Sequence, residues 1–107
     1  MLGLPGDFTS PSRFIRAFAF SQSVIAKKDA TQLCDTAFRI LNFFNIPLGI
    51  VREQTDSGIY YEYTQWTAAS DLANKRYYWN TYDSARINHI DLLAQDLNAQ
   101  KVVTVPL

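Results

Sequence analysis

Helical periodicity confined to the first half of the chain, and β-favouring aromatic runs confined to the second, predict an α+β fold with two helices packed on an antiparallel sheet. A third observation fixes the scale. At 107 residues the chain holds one domain-sized segment, and its 48% hydrophobic and 14% aromatic content is enough to build a core rather than remain disordered. The predicted layout is a loop over 1–10, a helical pair over 11–46 and strands over 59–105, read as a single segment spanning 1–107.

The opening Gly3-Leu4-Pro5-Gly6-Asp7 is a loop, because glycine and proline punctuate it. Thr9-Ser10-Pro11-Ser12 then starts a helix: Ser10 can cap the free amides, and Pro11 suits a first turn that needs no donor. Phe14, Ala17, Phe18, Ser21 and Ile25 recur on one face, with Arg13, Arg16 and Gln22 off it. Lys27 and Lys28 fall in the expected last turn, where cations suit the carbonyl end of the dipole. Asp29 with Gln32 three residues later has the spacing of a capping box and begins a second helix. Its stripe is Leu33, Ala37, Ile40, Leu41 and Phe44, flanked by Cys34 and Phe38, and Pro47 ends it. The short link between the helices predicts an antiparallel pair.

Beyond Ile50 the pattern changes. Ile59–Thr67 is dense in Tyr, Thr and Trp and reads as one strand; Asp71 and Asn74 mark a turn into a second run over Lys75–Tyr82, giving a hairpin. Arg86–Leu92 is expected as a third strand, Gln95–Ala99 as a polar link and Lys101–Val105 as a short terminal strand.

Several function classes are excluded by counting. Ten basic and ten acidic residues cancel, so no charge footprint for nucleic acid or an anionic membrane surface is present. No apolar run is long enough to span a bilayer as a helix. Gly3, Pro5, Gly6 and Asp7 are not expected to form a secretory leader after Met1, and localisation stays open between periplasm and cytoplasm. One Cys and one His argue against a structural zinc site, so no metal or cofactor is expected. Cys34 is the one strong nucleophile type, but it falls inside the second helix and is read as a small core residue; with His89, in a strand, it gives a poor thiol-enzyme pair. Tyr60, Tyr61, Tyr63, Trp66, Tyr77, Tyr78, Trp79 and Tyr82 have only Lys75 and Arg76 nearby, so they are read as sheet packing rather than base-stacking surface.

Arg13 and Arg16 stand out. They open a helix, where amides already present positive potential, so cations there are locally unfavourable and point to function. The alternative is an arginine that lies back across the loop and pairs with Asp7.

The run Leu2-Gly3-Leu4-Pro5-Gly6-Asp7-Phe8-Thr9-Ser10-Pro11-Ser12-Arg13-Phe14-Ile15-Arg16-Ala17 resembles a segment of the choloylglycine hydrolase family, the bile salt hydrolases and penicillin V acylases. Asn74-Lys75-Arg76-Tyr77-Tyr78-Trp79-Asn80-Thr81-Tyr82-Asp83 resembles the same family's aromatic strand. The resemblance runs over the whole chain and covers the C-terminal third of a family member. It implies part of a four-layer αββα sandwich and a hydrolase of linear amides. In that family the thiol of a mature N-terminal Cys attacks the amide while its own α-amino group serves as base. By the same resemblance Arg13, with Arg16 as the second choice, belongs to the active site, and Pro47, Leu48 and Ile50 line a pocket for an acyl group. The implied substrate is a small N-acyl amide. The nucleophile is expected outside these residues, so the chain alone is expected to be inactive and to self-associate or join the remainder of the enzyme. The rival expectation is a non-catalytic domain that binds acyl ligands or self-assembles.

Overall fold

Thr9, not Ser10, is the residue that opens the first helix, and the shift comes from the loop before it. The structure, a computed structural model, describes residues 2–107. Helix α1 spans Ser10–Ser23 with Pro11 in its first turn, and the Thr9 side chain makes no capping bond. Instead Asp7, two residues upstream, accepts from the Thr9 amide (2.9 Å) and from the Thr9 hydroxyl. The helix ends earlier than predicted: Val24 is already extended, which leaves Lys27 and Lys28 beyond it. Ser21-Gln22-Ser23 followed by β-branched Val24 and Ile25 has little helix propensity, and the Ser21 hydroxyl donates to the Phe18 carbonyl (2.9 Å).

Helix α2 spans Ala30–Leu41 and begins as the sequence predicts, with the Asp29 carboxylate accepting from the Gln32 amide at 3.0 Å. A 3₁₀ turn over Asn42–Phe44 carries the chain towards Pro47. The burial within α2 falls on the predicted flank, since Phe38 is its buried residue while Leu33 is exposed.

Five strands follow: β1 (Val51–Thr55), β2 (Gly58–Glu62), β3 (Trp66–Asp71), β4 (Arg76–Thr81) and β5 (Ser84–Asp91). Strands β1 and β2 form a two-stranded antiparallel sheet, and β3-β4-β5 form a three-stranded antiparallel meander. The fold is therefore α+β, with two helices and two antiparallel sheets. The predicted strand over Ile59–Thr67 is divided between the two sheets. The cause is Thr64, whose amide donates to the Ile46 carbonyl (3.0 Å) while its hydroxyl accepts from the Ile46 amide (2.9 Å). That reciprocal pair commits the Thr64 backbone to Ile46, and pairing with the β4 end resumes only at Gln65, whose carbonyl accepts from the Tyr82 amide (2.9 Å). Gly58, at φ 125°, closes the β1–β2 turn in a conformation that side chains resist.

The hairpin of β3 and β4 turns at Asp71, whose carboxylate accepts from the Asn74 amide (3.0 Å) and side chain (2.7 Å), as the sequence predicts. Lys101–Val105, expected as a terminal strand, begins in a bend at Lys101 and joins no ladder. After β5 a short 3₁₀ turn over Leu92–Ala94 leads into the expected polar link.

Residues up to Thr64 form one compact unit and Gln65–Leu107 form a second. In the first, the buried apolar residues are Phe38 and Ile46. In the second it is Trp79, which faces Ala68 and Asn88 across its two neighbours and stacks with Tyr77 at 6.1 Å. Ala68 leaves room for the indole. His89 packs its ring on Tyr78 at 5.6 Å, a contact within the three-stranded sheet.

Candidate active site

The residues that α1 buries are polar. Ser12 and Arg16, one turn apart, are each 7% exposed, while Phe14 and Phe18 of the predicted core stripe are 73% and 61% exposed. Burial on α1 thus follows the face that meets the preceding loop, not the apolar face.

Arg16 reaches back across that loop. Its Nη1 donates to the carbonyls of Pro5 and Asp7, both at 2.7 Å. This is the back-folded arginine weighed from the sequence, with one correction: it takes the carbonyl of Asp7, not the carboxylate. The Phe44 ring covers the guanidinium, 5.4 Å from its centroid, and Phe44 and Phe43 both pack on Phe20 of α1. A cation–π contact suits a guanidinium whose hydrogen-bond acceptors are neutral carbonyls. The Asp7 carboxylate serves the helix start instead. The Thr9 hydroxyl and amide, then the Ser12 hydroxyl, hold its pKa below the ordinary 3.8; the charge of Arg16 adds to this and burial opposes it.

Arg13 lies on the other side of the same turn. Its backbone amide donates to the Thr9 carbonyl (3.0 Å), the first bond of the helix, and its Nη2 donates to the Ser10 hydroxyl (3.2 Å). Its Nε is buried without a hydrogen-bond partner, a cost that native structures rarely leave uncompensated. Arg13 lines a groove of about 350 Å³ with Ser10, Phe14, Ala17, Leu41 and Phe44. Among the described residues the one ion pair is Arg76–Asp91, so the Arg13 charge is unopposed. A half-buried guanidinium without an ion-pair partner, set in an apolar groove, can hold a carboxylate, a thiolate or a developing oxyanion through its Nη groups.

Pro47, Leu48 and Ile50 form a separate turn, closed by the Ile50 amide on the Pro47 carbonyl (3.3 Å), with Gly49 at φ 96°. Leu48 and Ile50 are more than half exposed, and none of the three lines the Arg13 groove. Among the described residues no cluster of His, Cys, Asp or Glu could hold a metal ion. No helix among the described residues is long and apolar enough to cross a membrane. The Phe44 ring over Arg16 is the part that sequence reasoning missed. The available signal was the Ser12–Arg16 spacing of one helical turn opposite the Phe14–Phe18 stripe.

The loop, the helix start and the strand that follow this pattern define a class. The sequence model of the linear amide C–N hydrolases, choloylglycine hydrolase family, matches residues 1–105, and the chain belongs to that family. Among individual relatives, it is 36% identical to a bile salt hydrolase/transferase of Lactiplantibacillus plantarum, over 99% of this chain and 32% of the relative. It is 37% identical to the bile salt hydrolase/transferase of Clostridium perfringens, over 97% of this chain and 31% of the relative. A mutant conjugated bile acid hydrolase from Clostridium perfringens superposes with a TM-score of 0.76 at 33% identity, over 99% of this chain and 31% of that one. Penicillin V acylase from Agrobacterium tumefaciens shares the fold, with a TM-score of 0.73 at 19% identity, over 87% of this chain and 28% of that one. The chain thus spans about a third of the length of the curated relatives it matches.

Proposed function

We propose that residues 1–107 supply the arginine-bearing wall and part of the scaffold of an amide C–N hydrolase whose attacking thiol comes from outside these residues. The observation that carries this is Arg13: a charged side chain without an ion-pair partner among the described residues, lining an apolar groove in the segment that identifies the family. Cys34 does not fill the nucleophile's role. Its backbone nitrogen is an amide within α2, so no α-amino group is available beside the thiol to take its proton.

The chemistry divides accordingly. A thiolate adds to the amide carbonyl carbon, negative charge develops on the carbonyl oxygen, and the C–N bond breaks as the leaving nitrogen gains a proton; water then cleaves the resulting thioester to the acid and restores the thiol. Arg13 offers its Nη donors to the thiolate or the oxyanion. The substrate class is a small N-acyl amide, for which the conjugated bile acids named for similar proteins are a precedent. Pro47, Leu48 and Ile50 would give apolar contact to the acyl part. The exposed Phe14, Phe18 and Ile25 support association with the remainder of a hydrolase or with a second copy.

Two measurements test this. The purified 107-residue chain is expected to release no amine from glycocholate or penicillin V, and turnover would overturn the assignment of the nucleophile. In a hydrolase that carries this segment together with an N-terminal Cys, Arg13→Ala is expected to lower kcat/KM more than about tenfold, or roughly 1.4 kcal/mol. An unchanged kcat/KM removes Arg13 from the site.

A second reading has one observation in its favour. The three-stranded unit holds a cavity of about 330 Å³ with Leu72, Tyr77, Ile90 and Leu92 in its wall and Lys75 and Arg76 beside them. Saturable binding of a fatty acid by the 107-residue chain, lost on Ile90→Asp, would favour a non-catalytic acyl-binding domain.

A further inference from the structure

We infer that Arg16 is the positioning residue of the Arg13 site: it locks the Pro5–Asp7 loop onto α1 and thereby fixes the turn from which Arg13 enters its groove. The inference rests on the reading of Arg13 given above.

Two routes of direct contact connect the arginines. The first runs through backbone and one carboxylate. Arg16 Nη1 holds the Asp7 carbonyl (2.7 Å), the Asp7 carboxylate holds the Thr9 amide (2.9 Å), and the Thr9 carbonyl holds the Arg13 amide (3.0 Å). The second runs through Phe44, whose ring lies against the Arg16 guanidinium and whose side also walls the groove containing Arg13. Both routes begin at a side chain that is 7% exposed and has spent both Nη1 protons on neutral carbonyls.

Burying a cation against carbonyls alone is an expensive way to start a helix. α2 shows the cheaper way, since Asp29 caps it with a single local bond. What Arg16 adds is placement. Its donors lie in one plane under an aromatic ring, so they set the height and the tilt of the loop together, which a point-charge ammonium cannot do.

The test is a double-mutant cycle in a hydrolase that carries this segment with its N-terminal Cys. Arg16→Met is expected to lower kcat/KM about tenfold, with KM changed by less than roughly threefold, and Arg16→Lys to fall between Met and the parent. In the Arg13→Ala background the same Arg16→Met change is expected to cost less than about twofold, because Arg16 acts through Arg13. Equal losses in both backgrounds overturn the inference while leaving Arg13 in the site. No loss on Arg13→Ala alone would mean that the reading of Arg13 itself has failed.

Should Arg16→Met not fold, the 107-residue chain with Arg16→Lys gives an independent readout. Amide exchange at Thr9 and Arg13 is expected to speed up while Leu33, bonded to the Asp29 carbonyl, keeps its rate. Unchanged protection at Thr9 and Arg13 overturns the inference.

Discussion

The two helices of this chain begin in opposite ways. α2 starts from its own sequence: Asp29 accepts from the Gln32 amide, and the Asp29 carbonyl takes the Leu33 amide at 2.9 Å. Everything that start requires lies within a few residues. α1 has a cap residue, Thr9, whose side chain turns away from the helix amides to Asp7, and its start is held by Arg16 from within the helix and Phe44 from beyond α2. A locally capped start can form wherever the chain runs. A start tied at three separated points is held in one place, and a side chain one turn in, as Arg13 is, inherits that precision.

The contrast is sharpest when each start loses its key side chain. Arg16→Met in the 107-residue chain removes a charged donor from two carbonyls and leaves a ring without its cation, an expected loss of about 3 kcal/mol in denaturant unfolding. Asp29→Ala removes one capping bond and is expected to cost about 1 kcal/mol, with the Gln32 amide exposed and the Pro5–Asp7 loop unaffected. Equal costs for the two variants would mean that the loop tether adds nothing beyond ordinary capping.

What the sequence reveals follows the same division. Asp29 with Gln32, Asp71 with Asn74 and the Tyr–Trp run of β4 are legible because their partners lie close by in the chain or on a facing strand of regular register. Strand β1 was not foreseen, since Arg52-Glu53-Gln54 is exposed throughout and carries no apolar alternation. Periodicity alone makes the Phe14–Phe18 stripe core, and in this chain it is exposed. The Arg16 tether follows from the sequence only as one of two options. Its acceptors are backbone carbonyls, 9 and 11 residues away, and a carbonyl leaves no signature in residue type. Arg13 was legible mainly through family resemblance; what the structure adds is its spare buried donor and its apolar groove.

Acid separates the two starts most gently. The Asp7 carboxylate is held below its ordinary value of 3.8, first by the Thr9 hydroxyl, then by the Thr9 amide and the Ser12 hydroxyl. A carboxyl group whose folded pKa is depressed stabilises fully above its unfolded value, and that contribution disappears as pH falls through the folded value. The α1 start is therefore expected to loosen below about pH 3.8, seen as faster exchange at the Thr9 amide. Because Asp7 lies at the surface, solvent screening keeps the effect small. Asp7→Asn keeps an acceptor for Thr9 but no ionisable group. It should flatten the acid dependence at Thr9 while leaving the Arg16 bonds to the Pro5 and Asp7 carbonyls in place. If Thr9 protection still falls with acid in Asp7→Asn, the titrating group is not Asp7, and the α1 start is held by the Arg16 tether without help from the carboxylate.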